Sequence, residues 1–462
     1  MAGVRRAHGG AIGVGRSATT GRRFDPRRGT GVRQRPATAR PPLAYRGPDH
    51  PDGGRGEKAG SVGVELVERA DVEAARVALA GVVRTTPVAP SRVLSGFAGG
   101  PVSLKCENLQ RTGSFKIRGA YRRIERLGPE GRAPGVVAAS AGNHAQGVAL
   151  AARLLDTRAT VFMPAGAPLP KLAATRGYGA DVQLVDTFAE TLEAAAAFAE
   201  RTGAVLIHPF DHPDIVAGQG TVGLEILEQV PDVATIVVCT GGGGLISGIA
   251  AAVADRGVHV VGAQAAGLAA WPPSLAAGAP VTVTGATIAD GIAVPRPGEV
   301  TFAHVEALVD EIVTVDEEAL ARGVLRSLER EKLLVEPAGA AAVAAIAEYP
   351  ERWAAPVVAV VSGGNADPLM LVDLVRRGLV AAGRYASLRV RLPDRPGYLA
   401  DVLRRVGAAG GNVVDVEHRR LMGSGRSLGA VDVALTLEAR GHEHAAAILD
   451  DLAGAGYEVA PE

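Results

Sequence analysis

The sequence predicts an α/β body built on a buried parallel sheet, followed by a small α+β unit. Three observations carry this expectation. Short, almost purely apolar runs alternate with helical stretches from about residue 136 to 361, as expected of strands covered on both faces by helices. Glycine clusters sit where such runs end and helices begin, at 140–147, 240–245 and 362–365, the places where α/β folds put ligands. From about Ser387 the order becomes βαββαβ, a split βαβ unit.

In chain order, a helix is expected over 64–80. Strand 136–139 leads into helix 143–155, strand 159–163 into a helix from about Lys171, and strand 182–185 into the alanine-rich helix 188–201. Strand 205–207 precedes a helix around 221–229. Strand 236–239 runs into four glycines and another helix, and 258–263 and 357–361 are the remaining apolar strands. A linker is expected at 381–384. Beyond it come strand 388–392, a turn at Asp394-Arg395-Pro396-Gly397, helix 398–408, strands 413–417 and 431–437, helix 442–453 and strand 457–460.

Composition removes several classes. With 47% hydrophobic and 21% charged residues, the chain as a whole is neither disordered nor a coiled coil. Its net charge of zero divides into +9 over residues 1–60 and −9 over the rest, so the folded part is a poor match for nucleic acid. Residues 1–62 are rich in Arg, Gly and Pro without periodicity and read as a disordered extension. They lack the apolar stretch of a secretory signal, and their Gly and Pro content argues against the amphipathic helix of a transit peptide. A nucleic-acid-binding tail is the alternative there. The stretch 233–254 has no charge and the length of a membrane span, but Gly241-Gly242-Gly243-Gly244 interrupts it; strand, turn and helix are expected instead. Cys106 and Cys239 match neither a metal-ligand spacing nor a disulfide framework, which suits a reducing cytoplasm.

Four segments carry chemistry. Lys116, in Ser114-Phe115-Lys116-Ile117-Arg118, is one of only five lysines and opens a helix. Backbone N–H groups and desolvation there lower an ammonium pKa, as an imine-forming lysine requires; an exposed helix lysine has the same local pattern. Ser140-Ala141-Gly142-Asn143-His144 follows a strand and opens a helix, so its N–H groups can hold a carboxylate. Asn143 can donate to a phenolate oxygen or simply cap the helix, and His144 alone reads as a structural histidine. Gly241 to Gly244, followed by Leu245, permits a nest of N–H groups around a phosphate. It matches neither the dinucleotide fingerprint nor a P-loop. Ser362-Gly363-Gly364-Asn365 ends an apolar strand, where the Ser362 hydroxyl can meet a ring nitrogen. Glu336 opens a helix, a place that favours a carboxylate with or without a function.

In this order and spacing, the four segments resemble the threonine/serine dehydratase branch of the type II pyridoxal-phosphate enzymes over about residues 65–380. His208-Pro209-Phe210-Asp211, Gly218-Gln219-Gly220-Thr221 and 287–293 match as well, and the C-terminal part resembles a single ACT domain. The resemblance implies a two-lobed, tryptophan synthase β-like fold over 63–380, with a smaller lobe at about 138–214, and a ferredoxin-like ACT unit over 386–462. It implies pyridoxal 5′-phosphate bound by Lys116 with Phe115 beside it, phosphate held by Gly241, Gly242, Gly243, Gly244 and Leu245, the ring's 3′-oxygen held by Asn143, and Ser362 with Gly363 at the pyridine nitrogen. Glu336 joins the cofactor's surroundings. Ser140, Ala141, Gly142, Asn143 and His144 would take the substrate carboxylate. The implied reaction is deamination of L-threonine to 2-oxobutanoate and ammonia, with L-serine as a further substrate. An amino-acid effector would sit near Asp394, Pro396, Gly397 and Asn412 in a homo-oligomer, a dimer or tetramer. A serine dehydratase and a non-catalytic amino-acid sensor of the same fold are the alternatives.

The chain departs from the pattern at three points. Racemases of this branch carry a second serine where Ala141 stands, so racemisation is not expected. Gln264-Ala265-Ala266-Gly267 replaces an acidic loop that holds a divalent metal, so no metal is expected. Ile117-Arg118 follows the lysine where cysteine synthases have Asp-Arg.

Overall fold

The computed structural model describes residues 45–46, 63–419 and 429–461. The expected extension over 1–62 lies outside the described residues except for Tyr45–Arg46. Those two pair antiparallel with Glu311–Val315, a strand where periodicity suggested none. The edge of a sheet offers unpaired N–H and C=O groups to any extended segment.

The larger sheet has seven strands in the order Tyr45–Arg46, Glu311–Val315, His259–Ala265, Thr235–Cys239, Val357–Val361, Val102–Cys106 and Val88–Pro90. The five inner strands are parallel and the two edges antiparallel. Thr235–Cys239 and Val357–Val361 are buried at every position, which explains their continuous apolar runs. The strand order turns back between these two, so their carboxyl ends open a crevice. The smaller sheet is wholly parallel, ordered Asp181–Val185, Ala159–Pro164, Val136–Ala139 and Val205–Leu206.

The smaller lobe reaches further toward the N-terminus than 138. The helix Lys116–Arg126 buries Ile117, Ala120 and Ile124 in one cluster with Val136, Ala149, Val161 and Ile207. Lys116 therefore stands at the seam between the lobes, with its helix packed on the smaller one.

Helix Pro213–Gln229 begins eight residues before the expected 221. Gly218, Gly220 and Gly223 hide it in the sequence because glycine is a poor helix former. Packing overrides that preference. A Cβ on Gly218 would lie 2.7 Å from the Arg118 carbonyl oxygen, and one on Gly220 would lie 2.6 Å from that of Gly248. The glycines let this helix press against both Lys116–Arg126 and Gly244–Val253. The uncharged stretch 233–254 resolves into strand Thr235–Cys239, the glycine turn and helix Gly244–Val253. No helix among the described residues is long and apolar enough to cross a membrane.

The expected linker at 381–384 is a short turn between a helix and a strand. Pro368–Ala381 runs to its first residue and strand Tyr385–Pro393 starts at 385. The C-terminal unit follows the βαββαβ order, with strands arranged Asn412–Arg419, Ala430–Glu438, Tyr385–Pro393 and Glu458–Pro461. Helices Tyr398–Ala408 and His442–Gly454 bury Val402, Val406, Ile448 and Leu452 with Leu388, Val390, Val433 and Leu435.

Candidate active site

The site lies at the carboxyl ends of Thr235–Cys239 and Val357–Val361, facing the loop after Val136–Ala139. Residues 113–115 run beside the turn after Val357–Val361. Ser114 bridges Gly363, the Phe115 N–H donates to the Ser362 carbonyl at 3.2 Å, and the Gly364 N–H donates to that of Gly113 at 2.9 Å. This pairing sets Lys116 next to Ser362. Within the smaller lobe, a Cβ on Gly147 would lie 3.1 Å from the Lys116 carbonyl carbon, so only glycine lets the Asn143–Leu154 helix approach so closely.

Lys116 Nζ donates to the Pro209 carbonyl at 2.9 Å and lies 5.2 Å from the Phe115 ring centroid. Burial lowers the ammonium pKa to about 8, against the opposing pull of Cys239 and Glu336. This is the shift an imine-forming lysine needs, and it separates Lys116 from an ordinary surface lysine.

The Gly241–Gly244 loop is tightly enclosed. A Cβ on Gly242 would meet the Phe210 ring at 2.4 Å, and one on Gly241 would lie 2.8 Å from Ile292 Cα. Gly243 has φ +96° and Trp271 beside it. The carbonyls are turned away: Trp271 Nε1 donates to Gly241 at 2.6 Å and Thr301 Oγ1 to Gly242 at 2.7 Å. Among the described residues, no acceptor meets the N–H groups of Gly241 to Leu245, which leaves them for an anion at the start of Gly244–Val253.

Asn143 Nδ2 donates to Glu336 Oε1 at 2.6 Å, and its Oδ1 accepts from Asn365 Nδ2 at 2.7 Å. Asn365 Nδ2 also donates to the Thr112 carbonyl at 2.7 Å. The chain of bonds fixes the Asn143 amide with one N–H still to give. Glu336 is buried, and burial together with Asp290 pushes its carboxyl up to about 7. It reaches Asn143 through Oε1, while its buried Oε2 has no partner among the described residues. Ser114 Oγ and Thr112 Oγ1 are orphaned in the same way. Buried polar atoms without partners mark a place where a ligand completes the bonding. A phosphorylated pyridoxal, with its anionic phosphate, phenolate oxygen and ring nitrogen, fits this donor set.

In the loop 140–144, the Gly142 N–H donates to Ser140 Oγ at 3.2 Å. His144 is buried and its Nε2 donates to the Ile207 carbonyl at 2.7 Å. Burial and Lys116 lower its pKa to about 3. Its imidazole is thus neutral and structural. The other matching stretches acquire roles. Pro209 receives Lys116, Phe210 covers Gly242, and the Asp211 carboxylate accepts from the N–H groups of Glu299 and Thr301. Asp290 pairs with Lys171 at 2.6 Å, tying loop 287–293 to helix Leu169–Gly177 of the smaller lobe.

Sequence reasoning missed the support beneath Lys116. Arg118 is fully buried, held by both Glu107 oxygens at 2.8 Å and by Glu225 at 2.7 Å; Lys105 meets Glu225 at 2.5 Å. Two cations and two anions cancel there. The rarity of lysine was the available signal for Lys105.

The effector residues do not converge within one chain. Tyr385 and Asn412 both pair with Glu438, whereas Pro393 pairs with Ala430. The turn Asp394–Gly397 and Asn412 therefore lie at opposite ends of the sheet, roughly 25 Å apart at ~3.3 Å per residue. Asp394, Pro396 and Gly397 are exposed, and Asn412 donates to Glu438 at 2.8 Å. Sequence proximity to a turn cannot reveal at which end of a sheet a residue falls.

Residues 79–363 match the model of the family described as pyridoxal-phosphate dependent enzyme, and 386–454 match that of the ACT domain. The chain belongs to the pyridoxal-phosphate-dependent enzymes. It is 45% identical to a Thermotoga maritima protein named L-threonine ammonia-lyase, over 85% of this chain and 99% of that one. Among solved structures, maize serine racemase matches with a TM-score of 0.64 and 37% identity, over 68% of this chain and 99% of that one. A threonine deaminase from T.th. matches with a TM-score of 0.62 and 40% identity, covering 65% and 99%. The pyridoxal-phosphate dependence, the tryptophan synthase β-like fold and the C-terminal ACT domain expected from the sequence are all confirmed.

Proposed function

We propose that the protein deaminates L-threonine to 2-oxobutanoate and ammonia, also accepts L-serine, and is regulated by an amino acid bound to its ACT domain. The observation that carries this reading is the lowered Lys116 amine facing the glycine loop, Asn143 and Ser362 across one crevice. The likeness to proteins named for threonine deamination supports the substrate. When bound, pyridoxal phosphate supplies an electron sink for charge at the substrate Cα. Lys116 would hold it covalently, and its free, neutral amine would take the Cα proton. The N–H groups of Gly241 to Leu245 would hold the phosphate, and the remaining Asn143 N–H would hold the 3′-oxygen. Ser362 would face the ring nitrogen. A hydroxyl is too weak an acid to protonate that nitrogen, which keeps the sink modest and suits elimination. The 140–144 loop orients the substrate carboxylate. Ala141 offers no side-chain acid, consistent with deamination over racemisation.

Domains at 63–380 and 386–462, an effector at the Asp394–Gly397 turn, and a homo-oligomer of two or four chains complete the reading. Two buried free cysteines suit a reducing cytoplasm. The test is release of keto acid from threonine and from serine, each with and without isoleucine. Purified, cofactor-loaded protein that releases none from either substrate rejects the reading.

A further inference from the structure

Cys239 ends the strand Thr235–Cys239 and Ser362 follows the strand Val357–Val361. These strands are neighbours, with Val237 opposite Ala359. The register brings Cys239 and Ser362 side by side at the carboxyl end of the sheet. Cys239 Sγ lies 3.1 Å from Ser362 Oγ and donates to it. The two residues are 5% and 2% exposed, so water does not compete for this bond. Two residues after Cys239 the glycine loop begins.

We infer that Cys239 is a positioning residue for the cofactor ring, its thiol occupying a lone pair of Ser362 and so aiming the Ser362 O–H at the pyridine nitrogen. A serine hydroxyl has one proton and two lone pairs and turns freely about its C–O bond. With a proton donated into one lone pair, its own proton must go elsewhere. The ring nitrogen is the acceptor that the proposed binding mode puts there. The thiol serves as a donor only while protonated, and burial pushes its pKa up to about 11. It is therefore a neutral S–H at physiological pH and a poor nucleophile. The bond also ties the ring-nitrogen position to the start of the phosphate loop through a single residue.

The inference rests on the proposed placement of Ser362 at the ring nitrogen, and the variants separate the two. Cys239→Ala, Cys239→Ser, Ser362→Ala and the double variant Cys239→Ala/Ser362→Ala are purified loaded with pyridoxal phosphate. The visible absorption band and the dissociation constant of the cofactor are measured for each. Cys239→Ala is expected to shift the band and to weaken cofactor retention by about two- to tenfold, the range for one neutral hydrogen bond. Cys239→Ser, which keeps a donor, should restore both. The double variant should match Ser362→Ala, because the thiol acts only through that hydroxyl. If Ser362→Ala shifts the band and Cys239→Ala leaves it as in the parent, the inference is overturned and the ring-nitrogen assignment stands. If Ser362→Ala leaves the band unmoved, that assignment falls and the inference with it.

Discussion

The crevice and the C-terminal unit are built by opposite rules. In the crevice, strands buried on both faces end in glycine turns, and Asn143 is fixed between Glu336 and Asn365. In the C-terminal unit, antiparallel strands are covered by helices on one face, and the candidate effector turn is exposed, with nothing within 4 Å of a Cβ added to Gly397. Covalent chemistry needs desolvation, which only the first arrangement supplies. Reversible sensing of a small molecule tolerates, and for pairing with another chain requires, an open surface.

Substitutions should follow that division. The largest effect is expected for Lys116→Ala, a loss of turnover on the order of a thousandfold or more. The visible band near neutral pH should vanish while far-ultraviolet circular dichroism is retained. A coloured, active variant breaks the assignment of the crevice. Arg118→Met leaves Glu107 and Glu225 without their shared cation and should cost about 3–5 kcal/mol in urea unfolding. A cost below about 1 kcal/mol shows that this buried quartet is idle.

The lowered Lys116 amine gives a pH signature. Only the neutral amine attacks a carbonyl. Cofactor uptake by the stripped protein should therefore rise about tenfold per pH unit up to a pH of about 8 and level off above it. A flat profile across that range removes the lowered lysine. The smallest basal effect is expected in the other region. Gly397 has φ +94° at the exposed turn, where Gly397→Asp should change basal turnover by less than about twofold, as for a surface position, yet abolish the response to an amino-acid effector. Equal loss of both erases the distinction between the two regions.

Much of the site was legible because it is local. A glycine run after an apolar strand, a lysine opening a helix and a serine at a strand end are each read from a few neighbouring residues. Helix Pro213–Gln229 was half-hidden because its glycines answer to neighbouring helices across the fold. Asn365 stood in a recognised motif without a role until Asn143 arrived beside it. Lys171 and Arg118 carried no role in the sequence, and their partners Asp290, Glu107 and Glu225 appear only in the fold.

The sequence by itself determined the alternation of strands and helices, the glycine turns and the βαββαβ tail, because hydrophobic period and turn chemistry act between near neighbours. The tertiary structure alone decided that Asn143 meets Glu336, 193 residues away, and that Cys239 meets Ser362, 123 residues away. Those meetings depend on strand order and register, which set which carboxyl ends adjoin and which no local pattern encodes.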